Sequence, residues 1–263
     1  MSGAQRTFLY KVKQQQERFI TGYFVAGDPS VESSIQIITE SVRAGLDAIE
    51  IGFPSSNPYL EGDVIKRAHA RTYSAFCQDE QYSIHFLETL RKEIDVPIWI
   101  MGYYADLIRT NFYKKLASSG CMDGFVIPDL NPEEGITLKA ELTRNEISVI
   151  PVVNYRMPDA ELKLAVKDTN IVYCQIYKGI TGEEIKDLGS LPSFYRKIRN
   201  LTDAVLMAGF GVKNQELAKE VIKSGFDGVV VGSEIVSTVE TNEIDKLMVF
   251  VKQLSKVKGG KVG

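Results

Sequence analysis

Residues 47–61 read DAIEIGFPSSNPYLE, an apolar run that carries one acid and then breaks at Pro54, Asn57 and Pro58 into a polar loop. A strand has a side-chain period of two, so Glu50 shares a face with Ala48 and Gly52, while Ile49 and Ile51 share the other. If this strand lies in a parallel sheet, both faces are covered and the carboxylate is desolvated. Burial raises a carboxyl pKa and makes Glu50 a candidate acid or base. The plainer alternative is that Glu50 caps the loop or pairs with an Arg or Lys. Glu61 stands at the far end of the loop, just before a helical pattern, where a helix dipole alone would favour an acid.

Outward from this stretch, short apolar runs alternate with helical periodicities. Strands are expected over 19–25, 47–52, 96–101, 124–127, 148–151, 171–176, 204–207 and 228–231. Helices are expected over 7–16, 31–43, from 62 onward, 82–92, 111–119, 133–144, 159–166, 191–198 and 214–223, with one long helix or a pair over 235–254. Three times a small helix ending (Ala44-Gly45, Ser119-Gly120, Ser224-Gly225) leads into a strand that begins near an aspartate (Asp47, Asp123, Asp227). Eight such units predict a (β/α)8 TIM barrel with an extra N-terminal helix, one domain over residues 1–263. A doubly wound open sheet is the weaker alternative, because no GxGxxG follows the first strand.

The bulk numbers narrow the partners. With 44% hydrophobic residues, 25% charged residues and a formal charge of -3, the chain has no basic balance to suit nucleic acid or an anionic membrane surface. Cys77, Cys121 and Cys174 are odd in number and widely spaced, as expected of reduced thiols in a cytoplasmic protein. No apolar run reaches membrane-spanning or signal-peptide length. The two histidines, His69 and His85, fall inside expected helices, so no metal site is expected.

In a barrel, function sits at the carboxyl ends of the strands, which is where Glu50 falls. Glycine turns follow the last three strands: Gly179-Ile180-Thr181-Gly182, Gly209-Phe210-Gly211 and Gly232-Ser233. There, backbone N–H groups and a helix start would hold a phosphate, with Gly209 and Gly211 allowing close approach and Ser233 adding a hydroxyl. Tyr23, Tyr103, Tyr104, Tyr173, Tyr177 and Phe210 fall near the same rim and either pack the core or line a slot for a planar ring. Lys178 is the one lysine close to a strand end, more suited to steering anions than to Schiff-base chemistry.

Taken in order, these pieces resemble the tryptophan synthase alpha chain family. Glu50-Ile51-Gly52-Phe53-Pro54-Ser55-Ser56-Asn57-Pro58-Tyr59-Leu60-Glu61-Gly62 is similar to the family's E-[LI]-G-x-P-x-S-[DN]-P-x-x-[DE]-G. Gly27-Asp28-Pro29, Tyr104-Ala105-Asp106, Asp129-Leu130 and the three glycine turns continue the likeness along the chain. The resemblance implies cleavage of indole-3-glycerol phosphate to indole and glyceraldehyde 3-phosphate. It implies Glu50 as general acid/base and Glu61 as the acid facing the indole N–H, at a position that is normally Asp. It implies Tyr23, where the family has a pocket phenylalanine, together with Tyr104, Tyr173, Thr181 and Phe210, as substrate-binding residues. Gly182, Gly211, Gly232 and Ser233 would bind phosphate. The chain departs from the family also at Ser55-Ser56-Asn57 and at Tyr177, where an arginine is usual.

The resemblance further implies a partner, the tryptophan synthase beta chain, in an α2β2 complex that uses the loops 54–60 and 179–189. Pyridoxal phosphate belongs to that partner, so no cofactor is expected here. The rival readings are another phosphosugar barrel lyase or isomerase, using Lys178 or Glu50, and a largely non-catalytic activator of the beta chain.

Overall fold

The computed structural model describes residues 1–78, 80–176, 190–209 and 211–259. Its strands are β1 (Phe19–Val25), β2 (Ala48–Gly52), β3 (Ile98–Met101), β4 (Gly124–Val126), β5 (Ser148–Ile150), β6 (Val152–Asn154), β7 (Ile171–Gln175), β8 (Val205–Gly209) and β9 (Gly228–Val231). All pair in parallel, in the order β5-β4-β3-β2-β1-β9-β8-β7-β6. The one strand expected over 148–151 is two, parted at Pro151, which has no N–H to give a ladder. The first half pairs with β4 and the second with β7, so this single run joins both ends of the sheet and closes the (β/α)8 barrel.

Helices α1 (Gly3–Gln14), α2 (Val31–Ala44), α3 (Asp63–Gln78), α4 (Glu80–Glu93), α5 (Tyr104–Leu107), α6 (Phe112–Ser118), α7 (Pro132–Leu142), α8 (Asp159–Val166), α9 (Leu191–Arg199), α10 (Gln215–Lys223), α11 (Ser233–Glu240) and α12 (Ile244–Ser255) complete the chain order. The segment 235–254 is thus a helix pair. Several starts are written locally: Ser30, Asn131 and Asn214 each accept a backbone N–H from three residues ahead.

The period of two sorts the apolar residues into two cores. Tyr23, Ala48, Trp99, Met101, Tyr173 and Val230 fill the lumen, while Phe24, Ile49, Ile51, Ile100, Phe125 and Val229 pack outward against the helices. Each fully buried side chain of this size contributes about 1.5–3 kcal/mol. α1 closes the amino end of the lumen. Phe8 meets Phe19 and Trp99 edge-on at 4.8 and 5.6 Å, and Trp99 Nε1 donates to Gln5 Oε1 at 2.9 Å, which satisfies the buried indole N–H.

The three aspartates at strand starts share one construction. Asp47, Asp123 and Asp227 accept the backbone N–H of Ile20, Ile98 and Leu206, each at 2.8 Å, so each pins its own strand to the neighbour. Each is also paired with a cation, Lys258, Arg91 and Arg199 respectively. The glycines before them, Gly45, Gly120 and Gly225, have φ of 126°, 68° and 112°, which is why small residues end those helices.

Candidate active site

Glu50 sits in β2 between its register partners Tyr23 of β1 and Trp99 of β3. It points into the lumen with Ala48 and is 2% exposed. Its Oε1 has no hydrogen-bond partner among the described residues, a costly state for a buried oxygen unless a ligand or a proton uses it. Burial first, and the charge of Glu61 second, push its carboxyl up to about 8. At neutral pH the group is mostly a neutral acid.

Glu61 arrives there because the loop after β2 is fixed at several points. The Ser55 N–H donates to Nδ1 of His69 at 3.0 Å, the Leu60 N–H to Tyr103 Oη at 3.3 Å, and the Glu61 N–H to the Pro58 carbonyl at 3.0 Å. Glu61 is therefore not a first-turn acid of α3, which begins at Asp63; it turns inward and is also 2% exposed.

Both carboxyl groups face a cavity of about 450 Å3 at the carboxyl ends of the strands. Tyr23 and Tyr173 form part of its wall, and their phenols are raised well above the usual tyrosine range by burial and then by the two acids. A Cβ on Gly52 would overlap Tyr23 Oη and one on Gly209 would overlap Tyr173 Oη, so these glycines make room for the rings. Gly209, expected to allow close approach of a phosphate, also makes room for Tyr173.

Across the cavity stand Gly211, with φ of 106°, Lys213, Gly232 and Ser233. Gly232 is the N-cap of α11, whose first N–H groups lack intrahelical acceptors and suit an anion. The wall behind is braced by ion pairs. Arg71 of α3 donates to both oxygens of Asp28 at 2.8 Å, and Arg67 and Arg71 share Glu240 at the end of α11, holding its carboxyl down at about 2.

Of the expected site residues, Glu50, Glu61, Tyr23, Tyr173, Gly211, Gly232 and Ser233 come together at this cavity. Tyr104 does not line it; its N–H donates to Asp129 Oδ1 at 2.8 Å at the start of α5, and the neighbouring Glu134 carboxylate pushes its phenol up. The preceding Tyr103 is the buried one, packed at 5.1 Å on Tyr59. Thr181, Gly182 and Phe210, like Tyr177 and Lys178, lie outside the described residues. Met101, Ile65, Val212 and Val230 also line the cavity, and no sequence signal marks them, because apolar lumen positions look like any core position; Lys213 and Ser237 line it too, as polar residues of a loop and a helix with no motif around them. His69, in sequence only a helical residue, lies against this wall. Among the described residues, no cluster of acids, histidines and cysteines could hold a metal ion, and no helix is long and apolar enough to cross a membrane.

A closed parallel barrel whose carboxyl-end cavity places two buried acids and the open start of a helix on its walls defines a class, the (β/α)8-barrel enzymes with the active site at the carboxyl ends of the strands. Similarity to known proteins narrows it. The family model described as tryptophan synthase alpha chain matches residues 9–261. A tryptophan synthase alpha chain of Aquifex aeolicus is 33% identical over 251 residues, covering 94% of this chain and 95% of the relative. One from Carboxydothermus hydrogenoformans is 30% identical, covering 98% and 97%. A solved Aquifex aeolicus structure superposes with a TM-score of 0.85 at 29% identity, covering 98% of this chain and 99% of that one. The fold is shared too with a chain of Mycobacterium tuberculosis tryptophan synthase, with a TM-score of 0.85 at 24% identity, covering 97% and 98%. This chain belongs to the tryptophan synthase alpha chain family.

Proposed function

We propose that the chain is a carbon–carbon lyase that cleaves indole-3-glycerol phosphate into indole and glyceraldehyde 3-phosphate. The observation that carries this reading is the placement of Glu50, a buried carboxyl raised to about 8, beside Glu61 in a cavity that ends at the start of α11. The Glu50 acid gives its proton to the indole carbon that bears the glycerol chain, which turns the ring into an electron sink. The Glu61 carboxylate faces the ring N–H, whose acidity rises as positive charge develops on nitrogen. The Glu50 carboxylate then takes the side-chain hydroxyl proton as the carbon–carbon bond breaks; its electrons return to the ring, and the oxygen becomes the aldehyde carbonyl. Glu50 ends as it began, protonated.

Tyr23 and Tyr173 wall the ring, and Gly211, Gly232, Ser233 and the α11 N–H groups hold the phosphate, with the Lys213 ammonium on the same wall. Thr181, Gly182 and Phe210 belong to the same reading through the family motif, and Tyr104 supports the rim from outside. Indole passes to a tryptophan synthase beta chain in an α2β2 complex. The rim loop 54–60, with Tyr59 48% exposed, offers a surface for that contact. The chain acts as one domain, in the cytoplasm. Indole release from indole-3-glycerol phosphate, measured with and without the beta chain, tests the proposal. Absence of indole in both would dismiss the activity, and a large increase only with the partner would mark a partner-dependent enzyme.

A further inference from the structure

His69 of α3 is wholly buried, and its imidazole makes two polar contacts, to Ser55 and to Tyr23. A backbone N–H can only donate, so Nδ1, which receives the Ser55 N–H at 3.0 Å, carries no proton. The neutral ring then has its hydrogen on Nε2, 3.1 Å from Tyr23 Oη, and donates it there. Burial holds the imidazole down at about 4, so this arrangement persists at the pH values where a carboxyl such as Glu50 changes charge. Since Tyr23 Oη accepts from His69, its own proton remains to be donated elsewhere. Tyr23 lines the cavity with both acids.

The same imidazole also ties down the loop that delivers Glu61. Its Nδ1 holds Ser55 near the start of the loop, and its own helix begins two residues after Glu61. A phenol hydroxyl on a wall where a plain aromatic ring would do is costly to bury without partners.

We propose that Tyr23 and His69 form a positioning pair for the second carboxylate, His69 orienting the Tyr23 hydroxyl to donate toward Glu61 while anchoring the loop that carries it. This rests on the reading of Glu61 as the acid that faces the ring N–H. The pair fixes a side chain one methylene longer than aspartate, at a place where errors of about 1 Å cost rate.

The test is a double-mutant cycle of Tyr23→Phe, which keeps the ring and removes only Oη, with Glu61→Gln, followed by indole release and by 15N spectra of histidine-labelled protein. Tyr23→Phe should lower kcat about tenfold with KM kept within about twofold, and should change kcat less than about twofold when Glu61 is already Gln. Equal losses in both backgrounds, or none with Glu61 present, would overturn the pairing. The chain has only two histidines, so the His69 signals are readily assigned by difference. His69 should show the Nε2-protonated tautomer, and Glu61→Gln should move its Nε2 signal when Tyr23 is present but not in Tyr23→Phe. An Nδ1-protonated ring, or the same movement in both, would overturn the proposal on its own. Wild-type protein that releases no indole would instead dismiss the cleavage reading, and the spectra would still decide the pairing.

Discussion

Tyr23 and Glu50 are direct partners in the β1–β2 register, so a phenol and a carboxyl group stand side by side on the lumen face of adjacent strands. Neither brings a cation to the other. The burial that raises both pKa values is therefore uncompensated by charge, and Glu50 stays protonated near neutrality, as the proposed acid role requires.

Activity should follow that protonation. With Glu50 raised to about 8, kcat/KM for indole release should hold near neutrality and fall about tenfold per pH unit above about 8. Glu50→Gln should lower indole release at pH 7 by at least about a hundredfold and remove that alkaline limb, while a phosphate-bearing analogue still binds. A pH–rate profile of both proteins checks this; an unchanged rate in the variant would remove Glu50 from the chemistry.

The same carboxyl should cost stability at high pH. Its folded pKa of about 8 lies above the ordinary 4.5, so below 4.5 both states are protonated and nothing is lost. As pH rises from 4.5 to 8 the unfolded chain ionises and the folded one resists, so stability falls and the full penalty stands above 8. Glu50→Gln should accordingly be more stable than wild type by a few kcal/mol at about pH 8.5, with the gap closing as the pH falls toward about 4.5. Urea unfolding at the two pH values measures it. A constant gap would mean that the titration of Glu50 is not its source.

Gly209→Ala should be damaging although the residue has an ordinary strand backbone. The added methyl group would overlap Tyr173 Oη, and the ring must leave the cavity wall or the strand must move. An overpacking cost of about 1–3 kcal/mol is expected, with a KM for the indole substrate raised at least about tenfold. Tyr173→Phe removes only Oη and leaves the ring carbons Cζ and Cε1 in the way, so pairing with it should recover little, whereas pairing with Tyr173→Leu should recover stability but not KM.

How much of this is legible in the sequence depends on what each residue answers to. Glu50 can be read because an acid inside an apolar period-two run contributes nothing to packing, and the barrel because helix-end glycines and strand-start aspartates recur with the same job. The division of 148–154 at Pro151 is hidden, because it depends on which strands flank the run on either side, a relation between distant parts of the chain. Glu61 reads locally as a helix-start acid, since the contacts that turn it inward come from His69 and Tyr103 on other elements. Tyr103 and Tyr104 are neighbours, and only the turn into α5 decides which one is buried. The two roles of glycine, permitting a φ of 106° at Gly211 and making room for a ring at Gly209, carry the same letter.

The strand-start aspartates should matter for stability and not for chemistry. Asp123 is buried, takes the Ile98 N–H and pairs with Arg91 at 2.8 Å, at the opposite end of β4 from the cavity. Asp123→Ala removes the acceptor of the Ile98 N–H, of the Ser2 hydroxyl and of Arg91 Nη2, while Arg91 keeps the carbonyls of Cys121, Ile94 and Val96, and should cost about 2–4 kcal/mol. Denaturant unfolding should show this, whereas indole release at a temperature where the variant is folded should stay within about twofold of wild type. A loss of turnover without a loss of stability would place Asp123 in the catalytic machinery instead.

Glu61→Asp decides whether the longer acid is a defect or an adaptation. The resemblance makes Asp the usual residue there, so a strained site would recover rate with the shorter side chain. The loop, however, is held by Ser55 on His69 at 3.0 Å and by Leu60 on Tyr103 at 3.3 Å, so its backbone has little freedom to advance a shortened carboxylate. Retracting that carboxylate by about one bond length takes it away from the ring N–H that the proposed reaction has it face. The expected outcome is a kcat lowered about ten- to a hundredfold, with little change in the affinity for a phosphate-bearing analogue. Steady-state kinetics checks it, and a kcat at or above wild type would mean that the walls of this cavity were never fitted to glutamate.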